Sequence, residues 1–315
     1  MVSRLQFKRS LVLKMKLRAA WLRAVEARRR PGVEVHPFIV TGPPRSGTSL
    51  LNALLMRKSN VLVVNEPVVV SDPLLAQGAP ARLVQGYVNT VARQAVRDGT
   101  LTTKVDPSSP GRPTTDTWNV GAARDEVTIE IDRSQPLCVG VKHPVSFMEF
   151  LDELLAGWSR LRAIIIVRDP WSTLRSWRET GFGWQPQIDD PSSGPWRKLY
   201  DLIPAVGDPL ERRAHLWKIL VERGVEQAQR RPGQALFLRY EELLERPDQV
   251  MVRLYRHIGA INPERPVDTS DVRPQARAEY RGLSETEVSM IRRICGDLDT
   301  ATLRSSVLSS DTKSA

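Results

Sequence analysis

The residues best suited to chemistry in this chain fall into four short clusters. In the first, residues 38–51, an apolar run enters a turn holding Gly42, Pro44, Arg45, Ser46, Gly47, Thr48 and Ser49, and a second apolar stretch follows. A buried strand feeding a loop and a helix start aims backbone N–H groups and the positive helix end at an anion, so the cluster reads as a phosphate-binding loop. Gly42, Gly47 and Ser49 fit the nucleotide-binding pattern G-x-x-x-x-G-K-[ST], but Thr48 stands where the pattern has lysine, and the cation has moved to Arg45. In the second cluster Arg168 closes an apolar run and Ser176 follows eight residues later. That spacing puts Ser176 about two turns into a helix, where its hydroxyl could join Arg168 on one phosphate. Asp169 and Pro170 mark the start of that helix, and Asp169 is also a local partner for Arg168. The third is Glu66, just past the apolar run 61–64; a carboxylate of ordinary pKa near 4.3 is ionised at neutral pH and can accept a proton. The fourth is Lys142 with His143, after the run 137–141: a cation for developing negative charge and a second candidate base with an ordinary pKa near 6.5.

Each cluster follows a short apolar run, and the runs alternate with longer amphipathic segments. This order predicts βαβ units feeding a parallel sheet, with strands at 38–41, 61–64, 137–141, 163–167 and 235–239. Helices are predicted at 48–56, 81–97, 145–155, 171–179, 209–230 and 248–258. Another begins at Ser284, where Ser284 and Glu287 make a capping box. Ligands of open α/β sheets bind beyond the carboxyl ends of the strands, which is where all four clusters fall. Residues 102–134 and 181–207 carry no regular pattern and read as long loops roofing the site. The fold expected is α/β, a P-loop-type three-layer domain with a central parallel sheet flanked by helices. It spans residues 33–305, after a basic amphipathic segment at 1–32 and before a polar tail at 306–315.

Taken together, the motif at residues 44–49 and the pair Arg168 and Ser176 resemble the sulfotransferases that use 3′-phosphoadenosine 5′-phosphosulfate (PAPS) and release 3′-phosphoadenosine 5′-phosphate (PAP). The resemblance implies that Pro44, Arg45, Ser46, Gly47, Thr48 and Ser49 hold the 5′-phosphosulfate and that Arg168 and Ser176 hold the 3′-phosphate. Residues 237–247 are similar to the family's Tyr-Glu-x-Leu strand end, which implies that Tyr240 lies near the adenine or the 3′-phosphate. Glu66 resembles the catalytic glutamate of the tyrosylprotein and several carbohydrate branches, and Lys142 their Lys-x-Pro lysine on the leaving sulfate. His143 approximates the base of the cytosolic small-molecule branch. Both bases remain open, with Glu66 favoured because its motif accompanies an arginine-type loop; Arg45 joins them as a catalytic cation. The C-terminal Arg-Lys-Gly segment of the cytosolic branch has no counterpart here. The resemblance implies sulfuryl transfer, without a metal, to a hydroxyl of a glycan, lipid or small metabolite. The alternatives are a P-loop kinase of small metabolites and a non-catalytic nucleotide-binding protein recruited to membranes.

Composition narrows the classes further. The chain's 315 residues carry a formal charge of +10, but residues 1–30 hold ten Lys or Arg against one acid, Glu26, so the remainder is nearly neutral. A basic domain face for nucleic acid is therefore not expected. The basic segment reads as a helix packed on its own domain, as an amphipathic helix able to lie on an anionic membrane, or, behind these, as a transit peptide or a nucleic-acid contact. Cys138 and Cys295 are far apart, and the four histidines show no H-x-x-x-H spacing, so neither a disulfide framework nor a zinc site is expected. Lys14, Lys16 and Arg18 interrupt the only candidate signal segment, and no apolar run spans a bilayer. The expected location is cytoplasmic, with peripheral membrane contact through residues 1–30 as the open alternative.

Overall fold

Five apolar runs form one parallel sheet because each buries side chains on both faces, the pattern of a strand covered by helices above and below. In the computed structural model, which describes residues 4–106, 109–115, 124–180, 197–270, 272 and 282–298, β1 (Val35–Thr41) is central. β6 (Leu137–Lys142) and β7 (Arg162–Val167) flank it, and β2 (Val61–Asn65) and β8 (Ala235–Arg239) take the edges, giving the order β2-β6-β1-β7-β8. The register pairs Val40 and Asn65 with Lys142 and pairs Val167 with Arg239, so the strands end along one edge.

Alternate residues of these strands face two separate cores. Ile39, Val64, Val141, Ile165 and Phe237 pack under α4 (Pro80–Asp98), α6 (Leu151–Gly157), α7 (Pro170–Glu179) and α9 (Pro209–Arg230). Phe38, Val40, Val63, Ile164 and Leu238 pack under α2 (Thr48–Leu55) and α11 (Pro247–Ile258). The three-layer expectation is met, and the five strands agree with the predicted ones to within three residues. Between β8 and α11 lies the short α10 (Tyr240–Glu245), and α12 (Glu285–Cys295) opens with the predicted capping box of Ser284 and Glu287.

Two predictions fail for identifiable reasons. The single helix expected over 145–155 is two, α5 (Pro144–Glu149) and α6, parted at Phe150, whose φ of −106° and ψ of 18° leave the helical range. Phe147, Met148, Phe150, Leu151, Leu154 and Leu155 are all buried, so the break keeps one continuous apolar surface on the core. The stretch 102–134, expected to be irregular, carries part of a small antiparallel sheet of β4 (Ser109–Pro113), β3 (Thr100–Asp106) and β5 (Arg124–Thr128). In β3 the inward positions are Leu101, Thr103 and Val105, and the polar Thr103 disguises the alternation. Its buried hydroxyl donates to Val63 O at 3.2 Å and accepts from Asn65 N at 3.1 Å, locking β3 onto β2. Residues 181–196 and 306–315 lie outside the described residues; Arg197–Tyr200 forms a short helix, α8.

Before the sheet, α1 (Arg4–Ala24) packs against α4, with Ala19 and Leu22 fully buried in the first core. Glu26, just beyond it, is buried and pairs with Arg93 of α4 and with Arg29. Both cysteines are buried thiols.

Candidate active site

The carboxyl ends of the five strands carry Gly42, Glu66, Lys142, Arg168 and Tyr240 onto one edge. The phosphate-binding loop runs from Gly42 to α2, and its shape depends on two glycines. Gly42 has φ of 142°, and a Cβ there would lie 1.9 Å from Ile166 O of β7; Gly47, the cap of α2, has φ of 87°, and a Cβ there would lie 2.3 Å from the Tyr240 ring. Neither position admits a side chain. Arg45, at the crest, also has a positive φ, 67°. α7 clamps the crest: Trp177 Nε1 donates to Pro44 O at 2.8 Å and Arg45 Nε donates to Ser176 Oγ at 3.1 Å. Ser46, Thr48 and Ser49 are buried, and Ser46 Oγ has no hydrogen-bond partner among the described residues. An orphaned hydroxyl inside a loop of backbone donors is a place for an anion's oxygen.

The lysine absent from the loop is supplied by a neighbouring strand. Lys142, at the end of β6, is fully buried and reaches Ser49 Oγ at 3.3 Å and Glu66 Oε1 at 2.5 Å. Lys104 of β3 meets the other carboxylate oxygen, Oε2, at 2.5 Å. Glu66 itself has φ of 46°, and its backbone is pinned by Glu66 N donating to Lys142 O at 2.8 Å. Arg124 of β5 donates to Asn65 O at 3.0 Å and to Glu66 O. Lys104 and Arg124 stand directly opposite each other in the antiparallel pair, where two cations repel. The repulsion is offset because both address the Asn65–Glu66 turn. Burial alone pushes the Glu66 carboxyl up, but Lys142 and then Lys104, with His143, overcome this and hold it well below the usual carboxylate range. Burial lowers the Lys142 ammonium, and Glu66 opposes that shift. Glu66 is therefore ionised at neutral pH.

His143 is differently employed. It caps α5, with Nδ1 accepting from Ser146 N at 3.2 Å and Nε2 3.3 Å from Ser146 Oγ. Accepting at Nδ1 leaves the proton of a neutral ring on Nε2, so both nitrogens are engaged within the residue's own turn. Burial pushes its pKa down to about 4, against a smaller raising effect from Glu66.

On the other side of the loop the Arg168 guanidinium stacks over the Tyr240 ring, 5.0 Å from its centroid. Asp169 caps α7 by accepting from Ser172 N at 2.7 Å, as its place before Pro170 predicts. Ser176, expected beside Arg168, is bonded to Arg45 instead, so the loop and α7 form one unit. Tyr240 is buried between Gly47 and Arg168, and burial raises its pKa. Lys104, Arg124, Trp177 and Glu241, whose Oε1 accepts from Asp169 N at 3.0 Å, were not singled out in the sequence. The only available signal for Lys104 was the alternation of Leu101, Thr103 and Val105; for the others there was none.

Solved structures similar to this chain include the sulfotransferase domain from the curacin biosynthetic pathway, at 14% identity and a TM-score of 0.44, covering 86% of this chain and 98% of that one. The sulfotransferase STF1 from Mycobacterium tuberculosis matches at 16% and 0.44, covering 89% and 80%. The mouse sulfotransferase SULT7A1 complexed with PAP matches at 15% and 0.32, covering 91% and 70%. No curated protein matches the sequence. The family model described as "Sulfotransferase family" matches residues 37–263, which is well over half of the chain and spans the loop, Glu66, Lys142, Arg168, Ser176 and Tyr240, and by that match the protein belongs to the sulfotransferase family.

Proposed function

We propose that this sulfotransferase takes its sulfuryl group from PAPS and delivers it to a hydroxyl of a glycan, lipid or small metabolite, with Glu66 as the proton acceptor. The observation that carries the reading is the carboxylate of Glu66 held between Lys142 and Lys104, with Lys142 also touching the phosphate-binding loop at Ser49. The residues fit the nucleotide: an orphaned Ser46 hydroxyl, a loop without side chains at its glycines, and the cations Arg45, Lys142 and Arg168 around it. Residues 44–49 would hold the 5′-phosphosulfate, while Arg168, Ser176 and Tyr240 would serve the 3′-phosphate and adenine end. When bound, PAPS supplies an electrophilic sulfuryl group on a leaving PAP.

Glu66 takes the acceptor's proton at Oε2, the oxygen now occupied by Lys104. Lys104 is the more accessible of the two lysines, its side chain 20% exposed against 2% for Lys142, so it is the partner that an incoming hydroxyl displaces. Losing one ammonium restores basicity to the carboxylate, so deprotonation is tied to acceptor binding. Lys142 stays, and its fixed charge between Ser49 and Glu66 offsets negative charge that grows on the loop side. Because His143 caps α5 with both nitrogens engaged, the glutamate-based tyrosylprotein and carbohydrate branches are the better model than the cytosolic one.

Titration calorimetry with PAP, and with ATP plus Mg²⁺, tests the cofactor. PAP is expected to bind and ATP to bind poorly, with turnover of labelled PAPS on a panel of alcohols unaffected by excess EDTA. Preferential ATP binding with metal-dependent turnover would instead support a kinase.

A further inference from the structure

We infer that α1 is a docking helix for an anionic lipid bilayer. Its 21 residues, Arg4–Ala24, hold seven Lys or Arg and no acid, although the chain beyond residue 30 is nearly neutral. One side is committed to the domain: Met15 is half-buried and Ala19 and Leu22 are buried, at the spacing of one helical face. The opposite side should then be polar in a helix that only packs on its own domain. It is not. Leu13, Leu17, Ala20 and Ala24, spaced four, three and four apart, form an exposed strip in which Leu13 is 58% and Leu17 62% accessible. Cations border this strip: Lys14 and Arg18 lie on one side, with the Arg18 guanidinium 4.4 Å from the centroid of the Trp21 ring, and Lys16 lies on the other. Leu11 and Val12 are exposed too, but they fall on the side of the helix that carries Met15, Ala19 and Leu22 and are not part of the strip.

An apolar strip with basic borders matches the boundary between acyl chains and acidic headgroups, where the leucines insert and the lysines and arginines pair with phosphates. With seven Lys or Arg among its 21 residues the helix is not apolar enough to cross a membrane, so it lies in the plane. The basic surface continues past the helix into Arg28, Arg29 and Arg30, which with Arg160 line a cavity of about 530 Å³. α1 also packs against the turn Val68–Val70, which begins two residues after Glu66, and Arg23 donates to Leu74 O nearby. Docking through α1 therefore fixes the Glu66 side of the catalytic edge close to the bilayer.

Vesicle co-sedimentation of the full chain tests this, comparing phosphatidylcholine alone with phosphatidylcholine containing about a third phosphatidylglycerol. The expected result is binding to the anionic vesicles, weak binding to the neutral ones, and loss in high salt. Exchanging Lys14 and Lys16 for Gln should lower partitioning about 30-fold. Leu13→Asp with Leu17→Asp should lower it at least about tenfold. PAP affinity should be unchanged in both variants, since none of these residues touches the nucleotide site; this arm separates failure of docking from failure of the cofactor reading. Three results would overturn the inference: no sedimentation of the wild type, sedimentation unaffected by the two aspartates, or a wild-type dimer in light scattering that the aspartates dissolve, which would mean that a second copy covers the strip.

Discussion

Replacing Glu66 by Gln removes a carboxylate that is paired with two lysines, Lys142 and Lys104. Lys142, fully buried, loses the partner at 2.5 Å and, among the described residues, keeps its bond to Ser49 Oγ. A buried lysine without a counter-charge is relieved by giving up its proton, which sets a ceiling on the cost. At pH 7 neutralising a lysine of ordinary pKa near 10.4 costs about 4 to 5 kcal/mol, at about 1.4 kcal/mol per unit. The Gln amide oxygen still accepts one hydrogen bond and Lys104 can turn to solvent, so the expected loss of stability is about 2 to 4 kcal/mol. The pH dependence gives a second reading. If Lys142 is neutral in the folded variant, the unfolded state binds more protons, and variant stability rises with pH between 7 and 9 by up to about 1.4 kcal/mol per unit, more steeply than in wild type. At the acid end it is the wild type that carries the pH dependence, with the same sign: stability rises with pH. The depressed Glu66 carboxyl of the wild type stabilises fully above the ordinary value near 4.3, and that contribution fades as pH falls below about 4; the Gln variant has none to lose. Turnover should fall about 10²- to 10⁴-fold with PAP affinity little changed. Urea unfolding at pH 3, 5, 7 and 9, with single-turnover kinetics and calorimetry, measures all of this. A variant with wild-type stability and an unchanged slope would refute the account of Lys142; lost PAP binding with retained turnover on saturating cofactor would refute the account of Glu66.

The remaining expectations concern the nucleotide and the competing base. Arg45→Ala and Arg168→Ala should each weaken PAP by about 1.5 to 3 kcal/mol, and together they should add to within about 0.5 kcal/mol. Arg45→Ala with Ser176→Ala should deviate from additivity by more than that, because both remove the 3.1 Å bond between them; unchanged PAP affinity in either arginine variant with the fold intact would sink the assignment. His143→Ala should cost about 0.5 to 2 kcal/mol of stability as a lost helix cap while turnover stays within a few-fold. An acidic limb of kcat/KM near pH 4 that disappears in His143→Ala would make the histidine the base, whereas a limb lying below that and removed by Glu66→Gln supports the carboxylate.

Local sequence determined the scaffold of the site. Apolar runs of strand length, glycines at 42 and 47, and the pair Asp169 and Pro170 act through neighbours a few residues away, so the loop, the strand ends and the capped α7 could all be read without a fold. Position at a strand's carboxyl end also brought Glu66, Lys142, Arg168 and Tyr240 to one edge, since parallel strands joined by helices all finish on the same side. What each group does there was decided by tertiary structure. Lys104 meets Glu66 across 38 residues, Lys142 meets it across 76, and Arg45 meets Ser176 across 131, and these contacts exist only because of the strand order and the packing of β3 and α7. Thr103 hid β3 by placing a hydroxyl where an apolar side chain was expected, and only its bonds to β2 explain why it is buried. Equally, whether the leucines of α1 face the core or the solvent depends on which side α4 occupies, and helical periodicity alone does not contain that choice.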